Sequence, residues 1–295
     1  RIKYEEAFVL LALMRQRKSN AKSALAHSRG GRESVLTPEF DNSLPFELTQ
    51  GQIMVGEEIA ADLAQGIPMT RLLQGDVGSG KTIVSIRAML IVIESGGQIA
   101  LLAPTEVLAV QHLESLRRFL KGVTTRPIHA ELLTGAMSVP NRRKILLDTQ
   151  SGDIDILIGT HALLEENVQF FDLGLVVIDE QHRFGVEQRA TMLTKGKDEL
   201  RPHLLVMTAT PIPRTVALTV FGDLDVSTLV ESPSLRAEIQ THLVPTSGKP
   251  RFVERVWERM AEEVAAGNRV FVVCPSISRS ETDPKSNKSP DREPL

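Results

Sequence analysis

The chain has 295 residues, 42% hydrophobic and 24% charged, the balance of an ordinary globular protein built as one large domain or two smaller ones. A net charge of -3 excludes a global basic field and 4% aromatic content disfavours base-stacking platforms, so any nucleic-acid contact must come from local groups. Cys274 is the single cysteine, which excludes an internal disulfide and a multi-cysteine zinc site and suits a reducing cytoplasm.

Residues 1–20 read as an amphipathic helix ending in the basic "MRQRKSN". Its apolar part, "AFVLLALM", is too short to span a membrane, and the acidic "YEE" before it is wrong for a signal peptide. Residues 21–43 mix Ser, Gly, Arg and Asp without periodicity and read as a linker, in which the single "RGG" at 29–31 reads as a solvated loop rather than an RNA-binding box. A helix follows from Leu48 to Gln65, then a short buried strand, "MTRLLQ".

From Gly75 to Thr82 the chain reads G-x-x-x-x-G-K-T, the P-loop pattern, and "TIVSIRAMLIVIES" after it has helical length and apolar spacing. Strand, glycine-rich turn and helix stand in the order that points backbone N–H groups at an anion. Gly75, Asp76, Val77, Gly78, Ser79 and Gly80 would form the cradle. Gly75, Gly78 and Gly80 admit conformations that a Cβ forbids, Lys81 can reach the β/γ-phosphates, and the Thr82 hydroxyl can ligate Mg²⁺.

Strands and helices then alternate. "QIALLAP" (98–104) is a strand and Glu106 to about Leu120 a helix; "AELLTG" (130–135) is a strand and "VPNRRKILLDTQSG" a helix. "IDILIGT" (154–160) and "LGLVVIDE" (173–180) are near-continuous apolar runs, as expected of parallel strands buried on both faces. A helix around Val186 to Leu193 precedes the strand "HLLVMTAT". This alternation predicts a parallel sheet with helices on both sides and active residues at the carboxyl ends of its strands. "ESPSLR" (231–236) reads as a hinge. Beyond it come a strand "AEIQTHLVP", an amphipathic helix from Phe252 to Ala266 stopped by Gly267, a buried strand "RVFVVCP", and a polar aperiodic tail.

Asp179 and Glu180 close a buried strand about a hundred residues after the P-loop, where Asp179 would hold Mg²⁺ and Glu180 would polarise the attacking water. His182 could link that carboxylate to neighbouring strands, and Thr208 and Thr210 of "TATP" could bond to the Asp-Glu segment and transmit the nucleotide state.

"GDVGSGKT", "DEQH" and "TATP" resemble motifs I, II and III of a superfamily-two helicase. "LPFELTQGQ", "LLAPTEVLAVQH", "ILIGTHALL", "VVIDEQHRFGVEQR" and "MTATPIPRT" resemble the RecG family of DNA helicases across residues 44–215. The transcription-repair coupling translocases compete, but normally carry Glu where Gln181 stands and lack "ELTQGQ".

The resemblance implies an α/β, RecA-like P-loop NTPase domain with a parallel β-sheet flanked by helices, plus the truncated start of a second RecA-like domain. It implies ATP and Mg²⁺ as cofactors and branched double-stranded DNA as partner, with remodelling of stalled forks and Holliday junctions as the work. A monomeric cytoplasmic enzyme is expected. The implied plan is a helix and linker over 1–43 after an absent wedge domain, the ATP-binding RecA-like domain 1 over 44–232, a truncated domain 2 over 233–276, and a disordered tail over 277–295.

Residue by residue, Gln52 resembles an adenine-reading glutamine, while by itself it is equally a helix-surface residue. Thr105 resembles a DNA-backbone grip and is also suited to an ordinary helix N-cap. Thr134, Gly135, Thr160 and His161 resemble strand-tracking positions, and Arg183 with "FGVEQR" a coupling region. Arg117-Arg118 and Arg142-Arg143-Lys144 read as solvated helix faces. Kept apart from the motor reading is a different class: a nucleotide-binding module with no motor function.

Overall fold

The computed structural model describes residues 8, 24–30, 34–179, 191–209, 224–230, 241–244 and 250–274. The chain divides into two compact units, Arg1–Arg236 and Ala237–Leu295. In the first unit the elements run α1 (Leu36–Ser43), α2 (Gln50–Leu63), β1 (Thr70–Gly75), α3 (Lys81–Glu94), β2 (Gln98–Leu102), α4 (Glu106–Leu120) and β3 (Ala130–Leu133). There follow α5 (Val139–Ser151), β4 (Ile156–Gly159), β5 (Leu173–Asp179), β6 (His203–Thr208) and β7 (Asp225–Leu229).

The strands form one sheet in the order β3-β4-β2-β5-β6-β1-β7, and every pairing is parallel. Alternation along each strand sorts the core into two faces. Leu73, Ile99, Leu101, Ile158, Val177 and Leu205 face α1 to α4, where they meet Phe40, Ile59, Ile86, Leu90 and Leu116. Leu72, Ala100, Leu102, Val176, Ile178 and Val206 face the other way, toward Ile145 of α5 and Leu163. The two-faced burial predicted from the uninterrupted apolar runs is therefore present.

Local chemistry sets the helix ends. Thr49 and Gln52 form a reciprocal capping box at the start of α2. Thr105 caps α4, its hydroxyl accepting the Leu108 N–H at 3.3 Å, with Glu106 in the first turn and Arg117 and Arg118 in the last, each sign suiting the helix dipole.

The stretch read as a linker is corrected in its second half. Residues Leu36–Ser43 form α1, because Leu36 and Phe40, one turn apart, drop into the core and outweigh the polar composition around them. Glu39 on this helix accepts the Thr124 hydroxyl at 2.6 Å and the Thr124 N–H at 2.8 Å. Those donors, with Thr125 behind them, hold its carboxyl down to about 2.

The "RGG" loop is corrected too. Arg29 is buried, and its guanidinium meets Asp172 at 2.6 Å. The segment around it is strapped to the core by Ala26 N–H to Gly66 O (3.0 Å) and Arg29 N–H to Leu63 O (2.7 Å). Beside it, buried His203 accepts the Met69 N–H at Nδ1 (3.0 Å) and donates from Nε2 to His27 O (2.9 Å).

Strand β7 had no counterpart in the sequence reading. Asp225, Ser227 and Thr228 dilute its hydrophobicity, as suits a strand that pairs only with β1 at the sheet edge. The helix predicted around Val186 to Leu193 lies mostly outside the described residues, as do the first helix, the hinge and the tail.

In the second unit α6 (Pro250–Ala265) matches the predicted amphipathic helix. Val253, Val256 and Met260 are half-buried, while Trp257 and Val264 remain exposed. Of the two expected strands, "AEIQTHLVP" lies mostly outside the described residues and "RVFVVCP" is not found over 269–274. Residues 241–244 of "AEIQTHLVP" and 269–274 of "RVFVVCP" carry no strand, and Phe271 and Val273 are 83% and 93% exposed. An apolar run becomes a buried strand only when neighbours hydrogen-bond its edges, and no strand is present among the described residues of this unit.

Removing one partner of the Arg29–Asp172 pair leaves a buried charge uncompensated, so Arg29→Ala should cost about 3–5 kcal/mol in urea unfolding. Burial pushes the His203 imidazole below its ordinary 6.5, so the fold holds it neutral. The unfolded chain takes up that proton first as pH falls through about 6.5, and stability should drop from pH 7 toward the lower folded pKa. Urea midpoints across that range should flatten in a His203→Gln variant.

Candidate functional site

Register places the strand ends in one row. Asp179 of β5 lies beside Met207 of β6, which lies beside Leu73 of β1; the next row pairs Thr208 with Gln74, and Gly75 then opens the loop. On the other side Ile178 pairs with Leu102, Leu102 with Gly159, and Gly159 with Leu133. The predicted phosphate and metal residues thus sit over β1, β6 and β5, and the predicted strand-tracking residues over β2, β4 and β3. They share one edge of the sheet.

The loop from Gly75 to Gly80 is a cradle. Gly78 and Gly80 have φ of 82° and 88°, in the left-handed region where a Cβ is strained, which is why glycine is needed there. Gly75 is needed for a different reason: a Cβ would press on the Ser79 hydroxyl and on Leu229 of β7. Ser79 N–H closes a turn on Asp76 O at 3.1 Å, and the Ser79 hydroxyl is buried without a hydrogen-bond partner. Asp76, Val77 and Gly78 are exposed.

Lys81 folds back into the loop, donating to Gly75 O at 2.6 Å and Asp76 O at 2.9 Å. It opens α3 together with half-buried Thr82, in the first turn where N–H groups have no helical acceptor. The Lys81 ammonium and the N-terminus of α3 lie together at this loop. That set fits a phosphate group. Hard oxygen donors from Thr82 and Asp179 fit Mg²⁺ rather than a softer metal.

Gln52 is buried, not on the helix surface. Its Oε1 accepts the Thr49 N–H at 3.0 Å and its Nε2 donates to Ser79 O at 2.9 Å. The same side chain caps α2 and ties that cap to the phosphate loop.

Asp179 makes a contact that sequence reasoning missed. Its Oδ2 meets His112 Nε2 at 2.8 Å, both side chains being largely shielded from solvent. The available signal was periodicity: His112 falls within the stripe Ala109, Leu113, Leu116, Leu120 by which α4 faces the sheet. Glu106 was missed as well; its Oε1 accepts the Gly135 N–H at 3.1 Å.

Thr105 is half-buried at its N-cap. Gly135 and His161 are exposed at the ends of β3 and β4, whereas Thr134 and Thr160 are buried, the Thr160 hydroxyl without a partner. Thr208 is buried at the end of the strand between β5 and β1. Glu180, His182, Arg183 and Thr210 lie outside the described residues. Among the described residues, no helix is long and apolar enough to cross a membrane.

The sequence profile of the DEAD/DEAH box helicases matches residues 51–219. The chain is 46% identical to the ATP-dependent DNA helicase RecG of Mycobacterium leprae, over 98% of this chain and 40% of that protein. It is 44% identical to the same-named protein of Aquifex aeolicus, over 95% of this chain and 34% of that one. It thus spans about two fifths or less of the length of these relatives. A solved structure of RecG bound to a three-way DNA junction superposes with a TM-score of 0.77 at 42% identity, over 93% of this chain and 35% of that one. The fold is shared more widely, with the Mycobacterium smegmatis helicase Lhr at a TM-score of 0.58, 21% identity, 81% of this chain and 33% of that one.

Gly80→Ala would strain a left-handed residue and push against the Gln52 amide. A loss of about 1–2 kcal/mol in stability, together with weakened nucleotide binding, is expected in thermal melts and fluorescent-nucleotide titrations.

Proposed function

We propose that this chain, which belongs to the DEAD/DEAH box helicase family, is the first motor domain of a RecG-type ATP-dependent DNA helicase. The parent enzyme couples ATP hydrolysis to movement on double-stranded DNA and remodels stalled forks and Holliday junctions in repair and recombination. The observation that carries the reading is the seating of the phosphate cradle on β1 and Asp179 on β5, on either side of β6. The likeness to RecG helicases extends it from nucleotide use to branched DNA.

In this reading residues 44–232 form the ATP-binding domain, 1–43 lead into it, 233–276 begin a second motor domain, and 277–295 are a polar tail. The enzyme works as a monomer in the cytoplasm. Lys81 and the amides of the loop hold the β/γ-phosphates, the hydroxyl of Thr82 and the carboxylate of Asp179 hold Mg²⁺, and Glu180 orients the attacking water. Bound Mg²⁺ would neutralise charge on the phosphates. Gln52 reads the adenine, and His182, Thr208 and Thr210 relay the state of the site. Thr105, Thr134, Gly135, Thr160 and His161 contact the DNA strand. Phosphate contacts of this kind bring affinity that falls with salt.

Lys81→Ala and Glu180→Gln separate binding from hydrolysis. Lys81→Ala should weaken nucleotide binding about tenfold or more, a loss of about 1.4 kcal/mol per factor of ten. Glu180→Gln should keep the nucleotide bound while phosphate release with branched DNA collapses. A folded Lys81→Ala variant with wild-type affinity, in a fluorescent-nucleotide titration, would overturn the cradle assignment.

A further inference from the structure

Helix α4 touches both halves of the functional edge. At its start Thr105 is the N-cap, and Glu106 accepts the N–H of Gly135, an exposed residue just past the end of β3. Seven residues after Thr105, and so on nearly the same helical face, His112 meets Asp179 at 2.8 Å. That separation is about 10 Å along the axis. The helix is anchored between them by buried Ala109 and beyond His112 by buried Leu113, Leu116 and Leu120, and Arg117 donates to Ala130 O at 3.3 Å.

The carboxylate of Asp179 can satisfy His112 with one oxygen and still present the other to a cation. A carboxylate that must hold a metal has to be aimed, and a hydrogen bond from an imidazole to one oxygen does this by fixing rotation about the side-chain bond. Such a bond tolerates only a few tenths of an ångström before it weakens. A small shift of α4 therefore reaches Asp179 directly.

We propose that His112 is the positioning residue that aims Asp179 at the divalent cation, and that α4 thereby ties strand engagement at Thr105 and Gly135 to cation occupancy at the nucleotide. This rests on the reading of Asp179 as a Mg²⁺-holding carboxylate. His112 touches neither nucleotide nor water in this scheme; it acts through Asp179. The tie runs both ways, as any coupling free energy between two sites must. A cation held by a well-aimed Asp179 steadies α4 for the strand, and a strand seated at Thr105 steadies the aim.

The test is a Mg²⁺ titration of fluorescent ATP-analogue binding to the 295-residue chain, with and without branched duplex DNA. Wild type is compared with His112→Phe, His112→Asn and His112→Gln. Phe fills the space without a donor, the Asn amide falls short of Asp179, and the Gln amide nitrogen reaches about the place of Nε2. Half-saturating Mg²⁺ should rise about tenfold or more in the Phe and Asn variants and stay within about threefold of wild type in the Gln variant. Metal-free affinity for the analogue should be equal in all four. Added DNA should lower the Mg²⁺ midpoint of wild type and the Gln variant only.

A Phe variant with the wild-type midpoint overturns the positioning role, and if that variant fails to fold by circular dichroism the Asn variant decides the same point. DNA that moves all four midpoints equally, or none, overturns the tie through α4. A wild-type chain with no Mg²⁺-dependent binding sinks the nucleotide reading and this proposal with it. Wild type that responds while its variants match it sinks this proposal alone.

Discussion

The rest of the structure follows from one constraint: every described strand of the first unit pairs in parallel, and helices cover both faces of the sheet. Side chains along the strands are then buried whichever way they point, and polar chemistry is confined to the ends. The register turns that confinement into proximity. Asp179, Met207 and Leu73 are neighbours in one row, so the ends of β5, β6 and β1 lie side by side. Asp179 and the glycine-rich loop, far apart in the chain, are thereby brought to the same end of the sheet with only β6 between their strands.

The loop itself is not self-supporting. Ser79 O is held by Gln52, and Gln52 is held by Thr49 in a reciprocal cap, so the entry of α2 and the turn of the loop form one hydrogen-bonded piece. β7 adds a second support, since Leu229 packs where any side chain at position 75 would have to go. The cradle thus depends on an N-terminal helix cap and on an edge strand, both remote in sequence from its glycines.

Much of this was legible in the chain. The uninterrupted runs at 98–104, 154–160 and 173–180 have no solvent face, and the structure buries both faces of the strands Gln98–Leu102, Ile156–Gly159 and Leu173–Asp179 that they form. The P-loop could be read because its glycines, lysine and threonine each answer a separate physical need at fixed spacing. Three features were not legible. α1 was hidden because two apolar residues, Leu36 and Phe40, carry its packing amid polar neighbours. β7 was hidden because an edge strand can be polar on most of its positions. The His112–Asp179 bond was hidden because a hydrogen bond between distant elements leaves no local pattern; only the sheet order brings α4 to the end of β5. In the opposite direction, "RVFVVCP" has the composition of a central strand and forms none, because hydrophobicity cannot supply a pairing partner.

Lys81, folded onto Gly75 O and Asp76 O, has a consequence for energetics. The ammonium is already solvated by its own backbone, so a phosphate arriving there would not rescue a stranded charge. A phosphate bound there would exchange backbone hydrogen bonds for stronger charge-assisted ones, and the net gain would be the difference. Such an exchange lowers the depth of the well and leaves the departing ligand an equally furnished protein behind it. A phosphate site built on this loop would be emptied more readily by a cation with somewhere to return than by one that grips because it has no alternative.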